Sequence, residues 1–380
     1  MVSVLHVASF LGNIGDNANH AGFRPWFERL VGRPVDWIAF EIRDVYRGHK
    51  AFDAEFAEAA NRADLVVIGG GNYFELWVEK SVTGTSISIP SDVLASIRTP
   101  IFFNALGVDE GQGVTETTLG RFRGFLSSLL ASDRYLVSVR NDGASDTLRK
   151  HVPDLPLDRI IPLPDGGFFA RYPALATDRG TNFAINLAGD MLDRRFPGGA
   201  HHDYAGFLTE FADMLAALDV QTPELRLVFV PHIFADLRVY ADLLSRLPDR
   251  IRRERVRVAA YDNGDAAAAD AFQEYAAADV AMGMRFHANV VAIAHRVPIV
   301  GLFCYDQIWH LYREIDIEEQ LVDVRVLGFS EALMARLKRA VSHADEARRR
   351  LDQVNQAMIA QRTAAELTIL PWLERHGLRG

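Results

Sequence analysis

Arg285 and His287 stand two positions apart at the end of a short apolar run, Val280 to Met284, and just ahead of an amphipathic pattern that reaches Arg296. A guanidinium presents a fixed fork of donors matched to a carboxylate or a phosphate. An imidazole, which ordinarily titrates at about 6.5, gives or takes a proton near neutrality. Side by side the two suit a small anionic substrate that has to be protonated. A structural reading stands beside this one. Only four of the 41 basic residues are lysine, so an arginine at a strand end is common here, and a histidine at a helix start is often a cap.

These side chains need elements to hold them. Pro298 opens a second apolar run, which makes the stretch from Asp279 to Tyr305 read as strand, helix, strand. In an open parallel sheet ligands lie at the carboxyl ends of strands, where the next helix begins, and Arg285 and His287 fall there. The same alternation runs through the rest of the chain. Strand-type runs at Val4–Phe10, Val35–Ile42, Asp64–Gly71, Ile101–Val108, Tyr135–Arg140 and Arg159–Leu163 alternate with helical patterns, among them Asn17–Val31, strained by Pro25, and Thr118–Leu130. The pattern restarts at Phe183 and closes with Leu321–Val326, and from Glu331 to Leu373 the chain is almost continuously helix-forming. The expected organisation is α/β: a Rossmann-like lobe over 1–165, a glycine- and proline-interrupted linker over 166–180, a second Rossmann-like lobe over 181–330, and a helical tail over 331–380 that packs back on the first lobe. Asn72 to Asp92 reads as a long loop.

Composition narrows the function. With 41 basic and 50 acidic residues the formal charge is −9, which argues against a general binder of nucleic acid or anionic membranes. The one cysteine, Cys304, allows neither an internal disulfide nor a cysteine zinc site. No apolar run reaches the ~18 residues of a membrane helix. The expectation is a cytoplasmic protein, at most peripheral at the inner face of the membrane, with the oligomeric state left open.

Further landmarks are Gly12-Asn13-Ile14-Gly15-Asp16 after the first strand, the triple glycine ending at Gly71, Gly107 with Gly111 and Gly113, Val139-Arg140, Pro164-Asp165, and Val230-Pro231-His232 with Asp236. With Met284-Arg285-Phe286-His287 and Pro298 they resemble, in order over residues 5–305, the polysaccharide pyruvyl transferase family. That resemblance implies two tandem Rossmann-like lobes like those of GT-B glycosyltransferases, with a ligand cleft between them. It implies transfer of an enolpyruvyl unit from phosphoenolpyruvate to two sugar hydroxyls of a glycan or lipid-linked precursor, giving a pyruvate ketal and phosphate. Arg140 and Arg285 occupy the positions the family pattern uses for anion contact, and His287 becomes the candidate acid.

Other residues carry weaker signals. Gly12, Asn13 and Asp16 form a strand-to-helix turn whose N–H groups suit phosphate or sugar hydroxyls, and Asp16 could equally cap the helix. Gly70 and Gly71 allow close approach of a ligand, while Asn72 and Glu75, near Trp77, are expected on the acceptor side. His232 lines the cleft or caps. Tyr305 ends the last strand of the family pattern, yet the lysine often found shortly after it is missing from Tyr305-Asp-Gln-Ile-Trp-His310. His201-His202-Asp203 is better explained as the start of a helix than as a metal cluster. No metal or cofactor is expected. Two rival functions remain: a glycosyltransferase using a nucleotide sugar, and a sugar-binding relative without catalysis.

Overall fold

The structure, a computed structural model, describes residues 1–175 and 180–380; the tract 176–179, inside the expected linker, lies outside the described residues. The chain divides into two units. The first comprises Met1–Phe10, Asn19–Gly166 and Ala357–Gly380, and the second Leu11–Ala18 and Gly167–Gln356.

The first unit is built on a parallel sheet of β1 (Val2–Ala8), β2 (Val35–Glu41), β3 (Leu65–Gly69), β4 (Ile101–Leu106), β5 (Tyr135–Val139) and β6 (Ile161–Pro162), in the order β2-β1-β3-β4-β5-β6. Its central strands are β-branched and buried on both faces, as a sheet covered by helices on each side requires. Alternation sorts their side chains. Val66 and Ile68 join Phe103, Phe122 and Leu126 in one core, and Leu65 and Val67 join Phe23, Phe27, Phe102 and Trp372 in the other. Helix α1 (Ile14–Val31) brings Phe23, Trp26, Phe27 and Leu30 to that second core at helical spacing. It begins three residues earlier than the sequence pattern gives and passes Pro25 unbroken. Pro25 and Ala21 both lie on the exposed side, so the carbonyl that the proline cannot bond faces water. On the first face lies α2 (Glu116–Leu130), started by a Thr115/Thr118 capping box.

The apolar run Ile101–Val108 is not one strand. Ala105 takes φ 45°, the register shifts between Phe103 and Leu106, and Val108–Asp109 instead pairs with Phe74–Glu75. The expected loop Asn72–Asp92 is accordingly part of the packed body. Ser81, Thr83 and Thr85 are buried in it and satisfy one another through hydroxyl contacts, with Thr83 donating to the Ile87 carbonyl at 2.7 Å.

The second unit carries β7 (Thr181–Asn186), β8 (Leu225–Phe229), β9 (Val256–Val258), β10 (Val280–Gly283), β11 (Ile299–Phe303) and β12 (Leu321–Asp323), all parallel in the order β9-β8-β7-β10-β11-β12. Strand order reverses between β7 and β10, where an open sheet leaves its ligand crevice. Helix α3 (Phe286–Ala294) follows β10 directly. The tail is a helix over Phe329–Ser342 and then α4 (Ala344–Arg375), of which the residues from Ala357 onward belong to the first unit. There Trp372 is buried, and its indole donates to the Asp133 carbonyl at 2.8 Å.

Candidate functional site

The corner between β10 and α3 is fixed by two asparagines. Asn186, at the end of β7, accepts from the Arg285 N–H at 3.0 Å. Asn289 donates to the Gly283 and Arg285 carbonyls at 3.0 and 2.8 Å and accepts from the Tyr312 hydroxyl at 2.7 Å. Arg285 is thereby held as the N-cap of α3 at the switch point of the sheet.

Its guanidinium, expected from the sequence to meet a substrate anion, is clamped by two carboxylates of its own chain. Nε lies 3.2 and 2.9 Å from the two Asp236 oxygens, and Nη2 lies 2.6 Å from Asp236 and 2.8 Å from Asp190. The remaining amino group, Nη1, enters none of these bonds. Burial works against the charge, but Asp236 and Asp190 more than offset it and hold the Arg285 pKa above its ordinary value. Asp236 also accepts from the His232 and Ile233 N–H groups, so one carboxylate ties together the ends of β8 and β10.

His287, the second residue of α3, lies against the Gly12–Asp16 segment. A Cβ on Gly15 would come within 2.6 Å of the His287 Nδ1, so the glycine lets the backbone of α1 rest directly on the imidazole. Asn13, rather than Asp16, organises the turn: its Oδ1 accepts from the Gly15 N–H at 3.1 Å and its amide donates to Asp16 at 3.3 Å. Gly12 donates to Asn263 at 2.8 Å, and Ile14 donates to the His232 carbonyl at 3.2 Å. Two sequence landmarks separated by about 270 residues thus form one constellation.

His232 lies inside the second unit. It is 1% exposed, its Nε2 lies 2.9 Å from the Tyr275 hydroxyl, and burial followed by the charges of Arg285 and His287 lowers its pKa well below the ordinary value. Tyr305 stands at the N-cap position of the following helix without a side-chain cap bond, and its ring carries the Arg195 guanidinium at 5.4 Å. Arg195 and Asp190 escaped the sequence reading. Arg195 is buried and donates to the Asp190 carbonyl at 3.0 Å, its Nη2 lies 3.4 Å from the Asp190 carboxylate, and its Nη1 lies 3.5 Å from the Cys304 sulfur. Burial raises the Asp190 pKa, yet Arg285 and Arg195 hold it below the ordinary carboxylate value. The available signal was position, since Asn186 to Asp190 follows a buried strand as Arg285 follows another.

In the first unit Arg140 directly follows β5, with its side chain 3% exposed. Nε lies 2.7 Å from Asp142 and Nη1 3.1 Å from Asp165. Here too one buried cation, expected from the sequence to meet an anion, faces two carboxylates of its own chain. Gly70, at φ 73°, is needed because a Cβ there would lie 2.1 Å from the Asn19 Oδ1. Gly71 backs onto the Tyr73 ring, Asn72 donates to Asp109 at 2.9 Å, and Glu75 accepts from the Ser86 hydroxyl. Asn19 and Asn104, both buried near this turn, were not foreseen.

His202 pairs with Glu210 at 2.7 Å and Asp203 caps the helix Tyr204–Gln221 by accepting from Gly206. Among the described residues no group of three or more His, Cys, Asp or Glu stands close enough to hold a metal ion, and no helix is long and apolar enough to cross a membrane.

This pair of parallel α/β units with strand-end polar constellations defines a Rossmann-like, GT-B type of protein. Solved structures share it. A glycosyltransferase from Rickettsia africae is 9% identical with a TM-score of 0.57, each chain covered to 98%. A protein described as a putative UDP-N-acetylglucosamine 2-epimerase from Listeria monocytogenes is 11% identical with a TM-score of 0.54, over 93% of this chain and 91% of that one. An Anabaena protein solved with UDP and glucose is 11% identical with a TM-score of 0.53, over 99% and 100%. At such identities the likeness is one of fold. No curated protein matches the sequence. The chain belongs to the polysaccharide pyruvyl transferase family, whose sequence profile matches residues 4–302.

Proposed function

We propose that the protein transfers the enolpyruvyl unit of phosphoenolpyruvate to two hydroxyls of a glycan or lipid-linked sugar, forming a cyclic pyruvate ketal and releasing phosphate. The observation that carries this is the packing of His287 against Gly15 beside the clamped Arg285, at the switch point of a parallel sheet. His287 donates a proton to the methylene carbon, which becomes the ketal methyl group, and positive charge develops at the neighbouring carbon. One sugar oxygen adds there, phosphate leaves with the carbon–oxygen bond electrons, and a second sugar oxygen closes the ring. The hydroxyl protons return to the histidine and to phosphate, so the reaction balances without an oxidant or a cofactor.

Arg285 contributes the amino group left over from its carboxylate clamp, and Arg195 supplies a second cation one strand away. The charges of these two arginines are matched by Asp190 and Asp236. The pair therefore places donors with fixed geometry and adds little net attraction for an anion. Arg140 acts in the same manner on the first unit.

The test is incubation with phosphoenolpyruvate and a panel of glycosides, following inorganic phosphate and the mass of the glycoside together. The expected result is a mass gain of one pyruvate less one water, with one phosphate released per acceptor modified. A glycosyl-sized gain that requires a UDP-sugar and proceeds without phosphoenolpyruvate would assign the site to the glycosyltransferase reading.

A further inference from the structure

A groove of about 540 Å³ lies on the first unit, away from the strand ends, between α2, the helix Ser91–Ser96 and the hydroxyl-rich segment around Thr83. Two guanidiniums line it. Arg121 is held by one amino group, its Nη1 donating to the Glu79 and Ser81 carbonyls. Arg134 lies over the Tyr135 ring at 4.9 Å and donates to its hydroxyl, while its buried Nε finds no acceptor. Among the described residues neither arginine pairs with a carboxylate, in contrast to Arg140 and Arg285, which are each clamped by two. No acidic side chain lines the groove. The rest of the wall combines hydroxyls, Ser91 and Ser128 among them, with an apolar surface that includes Val82, Ile89 and Leu94.

We propose that this groove binds a saccharide bearing a carboxylate. The two guanidiniums without a carboxylate partner supply the charge complement, the serine hydroxyls match sugar hydroxyls, and the apolar surface of Val82, Ile89 and Leu94 matches the apolar face of a pyranose. In a chain of net charge −9, a groove free of acids is a local departure that an anionic ligand explains. The inference rests on the reading above for its biological sense: a pyruvate ketal is itself a carboxylate-bearing saccharide. The groove would then hold repeat units that have already been modified while the next one reacts elsewhere on the enzyme.

Gly120 and Gly124 make the test clean. Both lie on the groove face of α2, and a Cβ at either meets nothing within 4 Å, so a larger side chain fills the groove without disturbing the core. Binding is measured by saturation-transfer NMR without phosphoenolpyruvate, using a methyl glycoside, its 4,6-O-carboxyethylidene derivative and methyl glucuronide. The two acids should bind roughly tenfold more tightly than the neutral glycoside, and Gly124→Leu and Arg134→Gln should each remove about that preference. Gly124→Leu should melt no lower than the parent and should leave pyruvyl transfer to a monomeric glycoside unchanged. Equal binding of acid and neutral glycosides, or undiminished binding by folded Gly124→Leu, overturns the proposal. Binding that behaves as expected in a protein that never forms a ketal would sink the proposed function and leave this groove standing; the reverse pattern would do the opposite.

Discussion

In the proposed mechanism His287 and Gly15 set the tolerance of the reaction. A methyl group on Gly15 has no room against Nδ1 at 2.6 Å, so Gly15→Ala must shift the imidazole or the start of α1. The expected outcome is a loss of kcat of roughly 10²-fold, within the range general acid catalysis contributes, with the KM for phosphoenolpyruvate nearly unchanged. Steady-state kinetics on the folded variant decides it; an unchanged kcat removes the contact from the mechanism. Arg285→Lys should cost about 3 kcal/mol in urea melts, because a point charge leaves the buried Asp236 partly unpaired. A melt matching the parent would show that the clamp is not structural. The sequence announced Arg285 and His287 through their place at a strand end. It did not announce their partners, since Asp236 and Asp190 lie 49 and 95 residues away and meet Arg285 only once β7, β8 and β10 lie side by side.

At the scale of elements, the C-terminal part of α4 completes the core of the first unit. Trp372 packs near Phe102, with ring centroids 6.4 Å apart, and Trp26 donates to Glu366 at 2.7 Å. Trp372→Ala should destabilise the protein by about 3–5 kcal/mol, read as a lower denaturant midpoint for the first unit. A midpoint shift below a few tenths of a kcal/mol would mean that the tail is an appendage. Apolar periodicity was enough to find the strand–helix alternation of both units. It failed where geometry departs from period. Ala105 breaks the run Ile101–Val108 by taking a left-handed φ, which no residue type there signals. The loop after Asn72 hides its packing because serine and threonine satisfy one another internally, and their sequence reads as a solvated coil.

For the molecule as a whole, histidines held neutral by full or partial burial set the response to acid. Burial first, then Arg171 and Arg296, lowers the His295 pKa to about 4, and its Nε2 accepts from the Tyr172 N–H at 3.3 Å. Burial likewise drives His6 and His232 well below their ordinary values. The unfolded chain binds these protons at about pH 6.5 and the native state does not, so stability rises with pH across that window. It should be complete above about pH 6.5 and fall as pH drops toward 4. His295→Gln, which keeps an acceptor for Tyr172, should flatten part of the slope in urea melts taken from neutral to acid pH; an unaltered slope would show that His295 titrates freely. The central claim, protonation of the donor's methylene carbon, is tested most directly by running the transfer in deuterium oxide and reading the product by proton and deuterium NMR. The expected product is a ketal whose methyl group carries one deuterium, formed by the parent and not by His287→Ala. A product that keeps an intact methylene, or an undiminished rate of deuterated ketal formation by folded His287→Ala, would contradict it.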